Sequence, residues 1–176
     1  AGLDQLRANP DVDSDRIALV GFSRGGLLAL QAAVERPNEI DSLLLFAPAP
    51  GRGSMAETLE QVPAVAVPIQ IFIAENDSLL PLAHEIEQAL VDAEKDVGLT
   101  VYEAFEEDGH DLFFEVREQY WGDVLEFLES TLNDPVAGGG LQVEHLASVA
   151  MPQGTHRPEI LFTGTDEMLA VVVDPG

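Results

Sequence analysis

A serine attacks a carbonyl well only when a base takes its proton and the backbone holds its hydroxyl clear of neighbouring groups. Gly21-Phe22-Ser23-Arg24-Gly25 has the residues for such a site. The segment fits G-x-S-x-G, follows an apolar run at 16–20 and opens an apolar stretch at 27–35. A sharp strand-to-helix turn crowds the backbone two places either side of the serine, so Gly21 and Gly25 have to be small. The N-terminus of the following helix would direct partial positive charge and free N–H groups at a developing oxyanion, with the Arg24 N–H as first donor. Two rival patterns fail on the same residues. A phosphate-binding loop needs Gly-Lys-Ser/Thr, and a dinucleotide loop has a glycine register that Phe22-Ser23 breaks. A purely structural turn is the plain alternative, although it would not require serine at the apex.

An acid and a base follow in the chain. Asp77 closes the run 69–74 in Ala74-Glu75-Asn76-Asp77-Ser78, and His110 lies past the run 99–105 in Glu107-Asp108-Gly109-His110-Asp111. Both follow strand ends, the edge at which parallel sheets place ligands. The order Ser, Asp, His is the one expected for α/β-hydrolases. His110 would take the proton from Ser23 and return it to the leaving group, and Asp77 would fix the imidazole tautomer. The bland alternatives are a turn aspartate capping the helix after Pro81 and a loop histidine in an acidic turn. Asp108 and Asp111 read as solvated turn residues, and His84 as a surface residue; His145 and His156 have no evident partners.

Other candidates are weaker. Arg52 follows a strand end at the same edge and could grip a substrate carboxylate; a surface arginine paired with one of many acids is the alternative. Asp11, Asp13 and Asp15 give D-x-D-x-D, but Arg16 and Phe22 stand where a calcium loop needs Gly and Glu. They read as the polar entry to a strand. No metal site and no cofactor are expected.

The elements that must position these residues alternate. Strand-like runs at 16–20, 40–46, 69–74 and 99–105 are separated by helical stretches at 27–35, 55–61 and 82–92. An amphipathic helix follows at 116–132. Such alternation means βαβ units and a parallel sheet covered on both faces. Residues 1–133 therefore read as one α/β domain, 134–140 as a linker through Gly138-Gly139-Gly140, and 141–176 as an extension. In the extension, 159–162 and 168–173 flank a turn and read as a β-hairpin, which needs something to pack on.

Composition narrows the partners. The chain has 176 residues, 46% of them hydrophobic, and no cysteine, which rules out a disulfide or a cysteine nucleophile. The formal net charge is −24. So negative a surface repels nucleic acid and anionic membrane alike. Lys95 is the only lysine. An excess of acids with so little lysine suits a protein kept soluble at high salt; an ordinary acidic surface is the alternative. No signal peptide opens the sequence, which leans towards the cytoplasm without deciding the compartment.

From residue 1 to 132 the chain resembles the dienelactone hydrolase-like and prolyl oligopeptidase-like branch of α/β-hydrolases. The resemblance rests on Asp15-Arg16-Ile17-Ala18-Leu19-Val20-Gly21-Phe22-Ser23-Arg24-Gly25-Gly26, Glu75-Asn76-Asp77-Ser78-Leu79-Leu80-Pro81 and Asp108-Gly109-His110-Asp111-Leu112-Phe113. It implies that Ser23, Asp77 and His110 form a triad. The named dienelactone hydrolases use cysteine, so serine at 23 points to a serine esterase acting through an acyl-enzyme on a small ester, thioester or lactone. A serine peptidase and a non-catalytic interaction module are the competing expectations. The family's sheet has several strands before its nucleophile, whereas one precedes Ser23 here. The expectation is therefore the C-terminal half of the fold, with β-strand 16–20 at an edge, a second oxyanion donor lacking, and self-association or pairing with an N-terminal half.

Overall fold

The computed structural model describes residues 2–10, 12–51, 54–114 and 117–132, together with the backbone of three later strands at 143–148, 160–164 and 169–173. Arg52 and the 134–140 linker lie outside the described residues.

A short helix α1 (Gly2–Arg7) leads into β1 (Ile17–Phe22). The entry is polar, as the acidic turn suggests. Asp13 accepts the Asp15 N–H at 3.0 Å and the Arg16 Nε at 2.7 Å. Those two bonds, the backbone one first, hold its carboxyl below the usual carboxylate range. Asp41 then accepts the Ile17 N–H at 2.8 Å, fixing where the strand begins.

Helix α2 (Arg24–Glu35) is followed by β2 (Ser42–Phe46), α3 (Met55–Gln61), β3 (Ile69–Ala74), α4 (Leu80–Asp92), β4 (Val97–Tyr102) and α5 (Glu118–Leu132). The four strands are parallel in the order β4-β3-β2-β1. β1 and β2 are apolar at nearly every position and buried on both faces, which is the composition a central parallel strand requires. Each strand lies beside the previous one in the same direction. Right-handed crossovers therefore put α2, α3 and α4 on one face, and α5 returns across β1 and β2 on the other. Leu30, Leu43, Leu45, Ile71 and Ile86 are fully buried between sheet and helices.

Several boundaries differ from the sequence reading by one to three residues: β1 runs on to Phe22, α2 opens at Arg24 and β2 begins at Ser42. Helix α4 starts at Leu80 and takes Pro81 into its first turn, where a missing N–H costs nothing. Strand β4 runs from Val97 to Tyr102, two residues earlier at its start and three at its end. Gly98 pairs with Gln70 of β3, whose side chain lies over it, 2.4 Å from where a Cβ would be.

Beyond α5 the backbone continues in β5 (Val143–Ser148), β6 (Ile160–Gly164) and β7 (Leu169–Val173). β7 runs parallel along the outer side of β1, and β6 is antiparallel to β7 and to β5. Among the described residues no helix is long and apolar enough to cross a membrane.

Candidate active site

All three chemistry-bearing residues lie just past the C-terminal ends of strands. Ser23 stands between β1 and α2 with φ 54° and ψ −121°, a backbone conformation that L-residues avoid. The turn is over-determined by its neighbours. The Ser23 N–H donates to Phe46 O at 2.9 Å, and Ser23 O accepts from Gly26 N at 3.0 Å and Ala49 N at 2.9 Å. Glycine at 21 is obligatory, because a Cβ there would sit 2.2 Å from Gly25 O. Arg24 opens α2, and the first N–H groups of a helix have no intrahelical acceptor.

Asp77 is buried, with its carboxylate in two directed contacts. Oδ1 accepts the Leu79 N–H at 2.8 Å, and Oδ2 meets His110 Nδ1 at 2.9 Å. One oxygen thus closes the turn ahead of α4 and the other meets the histidine, while α4 itself has Leu79 at its N-cap and no side-chain cap from Asp77. The hydrogen bond that His110 donates to Asp77 raises the His110 pKa above the usual histidine value, partial burial opposes the shift, and the charges of Asp77, Asp108 and Asp111 add to it. A proton held more tightly in the folded chain stabilises it below the histidine pKa of the unfolded state. That contribution is lost as the pH rises through the folded value.

His110 sits in a 3₁₀ turn, Gly109–Phe113. Asp108 is an exposed turn residue that also accepts the His110 N–H at 3.0 Å and so caps that turn. Phe22, the residue before Ser23, lies against the imidazole with ring centroids 4.9 Å apart. This contact sets the His110 ring against the residue that precedes the serine. Further off, His84 is exposed on α4 beside Glu87 at 3.4 Å. The side chain of His145 and all of His156 lie outside the described residues. Among those residues no cluster of His, Asp and Glu could hold a metal ion.

The sequence reading passed over two residues that join the acid loop to the histidine loop. Asn76 Oδ1 accepts the Phe105 N–H at 2.9 Å, and its Nδ2 donates to Phe105 O at 3.2 Å and Glu106 O at 3.4 Å. Gly109 permits the close approach, since a Cβ there would lie 2.7 Å from Asp77 N and 2.8 Å from Ala74 Cβ. Arg117 adds a clamp by stacking its guanidinium 4.6 Å from the Phe105 ring centre. A glycine immediately before the histidine was the one available signal. Asn76→Ala is expected to cost about 1 kcal/mol in urea unfolding, because it removes hydrogen bonds at an exposed site where water takes their place in part. It is also expected to lower kcat more than it raises KM, since it loosens the loop that aims His110.

A parallel sheet with a strained serine turn after its first strand, an aspartate past its third and a histidine past its fourth is the C-terminal part of an α/β-hydrolase fold. The dienelactone hydrolase family model matches residues 1–132, and the chain belongs to that family. Dienelactone hydrolase from Anabaena variabilis superposes with a TM-score of 0.56 at 23% identity, over 74% of this chain and 56% of that one. An esterase from Pyrococcus furiosus gives 0.61 at 20% identity, over 76% and 60%. Dipeptidyl peptidase 4 from Porphyromonas gingivalis gives 0.62 at 18% identity, over 75% and 22%. This chain thus spans about a fifth of the peptidase and under two thirds of the other two. No curated protein sequence matches it.

Proposed function

We propose that this protein is a serine hydrolase of small, uncharged carboxylic esters, thioesters or lactones. The observation that carries the reading is the buried Asp77 bonded to His110 Nδ1 at 2.9 Å, with the imidazole resting on the residue that precedes the strained Ser23. With Nδ1 engaged, Nε2 is the nitrogen left to accept a proton. In this reading Nε2 takes the Ser23 proton as Oγ bonds to the carbonyl carbon. The oxyanion is received by the Arg24 N–H. The bond to the leaving oxygen or sulfur then breaks, and the imidazolium returns its proton to that atom. Water repeats the sequence on the acyl-enzyme and frees the acid.

The esterase and the dienelactone hydrolase among the fold relatives support ester and lactone chemistry; the peptidase relative is the reason to include an amide in the test. Charge around the site favours a neutral substrate. Glu106, Glu107, Asp108 and Asp111 are all exposed on the histidine loop, so a carboxylate would approach against like charge.

A fluorophosphonate probe followed by peptide mass spectrometry tests the reading. One adduct is expected, on Ser23, together with turnover of p-nitrophenyl acetate and much slower cleavage of the matching anilide. No adduct, or an adduct elsewhere, would overturn it in favour of a non-catalytic role. Faster cleavage of the amide would move it to peptidase chemistry.

A further inference from the structure

The turn that carries His110 ends in two phenylalanines with opposite placements. Phe113 is 8% exposed and packs among Phe46, Tyr120 and Tyr102, with centroids at 5.3, 5.1 and 6.2 Å. Phe114 is 65% exposed, more than any other large hydrophobic side chain among the described residues. Its amide donates to Asp111 O at 3.3 Å, so the anchored turn presents the ring at a defined place. That place is the imidazole. Phe114 stands edge-on to His110 at 6.3 Å and 82°, and edge-on to Phe22 at 5.2 Å and 71°.

The remaining exposed apolar side chains, Leu28, Val91 and Val101, are single residues on α2, α4 and β4, and surfaces normally carry such residues. Phe114 differs in touching the reactive group. A ring that only packed the turn would be buried, as Phe113 is. A wet phenyl face beside a catalytic base instead gains contact when an apolar ligand covers it.

We propose that Phe114, with Phe22 behind it, forms the leaving-group subsite, and that it selects esters of apolar, above all aromatic, alcohols. The inference rests on the hydrolase reading above. Nε2 has to return its proton to the leaving atom, so that atom comes within about 3 Å of it. The substituent on the leaving atom then lies beside the imidazole, where the two phenyl rings stand. A substrate ring there can meet Phe114 at the 4.5–7 Å separation that aromatic pairs favour. Phe114 is a specificity residue in this assignment and takes no part in proton transfer.

Benzyl acetate and methyl acetate test it, because their acyl group is the same and their alcohols are of similar acidity. The ratio of their kcat/KM values is measured for wild type, Phe114→Ala and Phe114→Tyr, with circular dichroism to check folding. Phe114→Ala is expected to lower the benzyl-to-methyl ratio by about tenfold, and Phe114→Tyr to keep it. An unchanged ratio would overturn the proposal, because the ring would then act on the imidazole or the fold alone. If wild type shows no Ser23-dependent turnover of either ester, the hydrolase reading fails and binding decides the subsite. Benzyl acetate would then be titrated by NMR into Ser23→Ala and into Ser23→Ala with Phe114→Ala. Binding about tenfold weaker in the double variant supports the subsite. Equal affinity, or no binding to either, overturns it.

Discussion

Ser23→Ala is expected to lower kcat/KM for a p-nitrophenyl ester by on the order of 10⁵- to 10⁶-fold, because removing the nucleophile of a triad costs about as much as removing the whole triad. Stability is expected to change by less than about 0.5 kcal/mol in urea unfolding. The hydroxyl makes no capping bond to α2, so the fold loses no side-chain hydrogen bond there. The strain at φ 54° belongs to the backbone, and alanine carries the same Cβ. Ser23→Gly separates strain from chemistry. It is expected to be as inactive as the alanine variant yet about 1 kcal/mol more stable, because glycine accepts a positive φ without a Cβ clash. Activity retained in either variant would place the nucleophile elsewhere. A glycine variant no more stable than the alanine variant would mean that the turn holds no strain at this residue.

Strand, glycine turn and helix around Ser23 could be read from the sequence because the cause is local. Gly21 is fixed by a neighbour four residues on, and the runs that form β1, β2 and β3 are apolar at all but a position or two because both faces are covered. The order of Ser23, Asp77 and His110 follows from the same alternation, each standing past a strand end. The connections across the site were not legible. Asn76 meets Phe105 across 29 residues, and nothing in the local pattern of either loop announces the pairing. That pairing also explains the misread end of β4. Residues Glu103-Ala104-Phe105 continue the alternation that prolongs the strand on paper, but the Phe105 amide turns to Asn76. The Glu75 N–H meanwhile takes Tyr102 O at 2.9 Å, the last bond along that edge. Adjacent phenylalanines at 113 and 114 likewise look alike in sequence, and only packing against α5 and β2 decides which one is buried.

Asp77→Asn is the second large effect, expected at about 10⁴-fold in kcat with little change in KM or in the far-ultraviolet circular dichroism spectrum. The substitution is nearly isosteric, but the two contacts of Asp77 decide which way the amide turns. The Leu79 N–H needs an acceptor, and it has one in Oδ1 at 2.8 Å. An asparagine satisfies it by keeping its oxygen there, which places the NH₂ group where Oδ2 now meets His110 Nδ1. Nδ1 must then accept, so the neutral ring carries its proton on Nε2. A ring in that tautomer cannot take a proton from Ser23. The pH profile provides the check. In the wild type the bond to Asp77 raises the His110 pKa, so the acid-side fall of kcat/KM is expected at a pH above the ordinary histidine value. In Asp77→Asn that support is gone while partial burial still disfavours the charged ring, and the acid limb of the residual activity is expected at lower pH. A variant with wild-type activity, or with its acid limb unmoved, would show that His110 does not take its orientation and charge from Asp77.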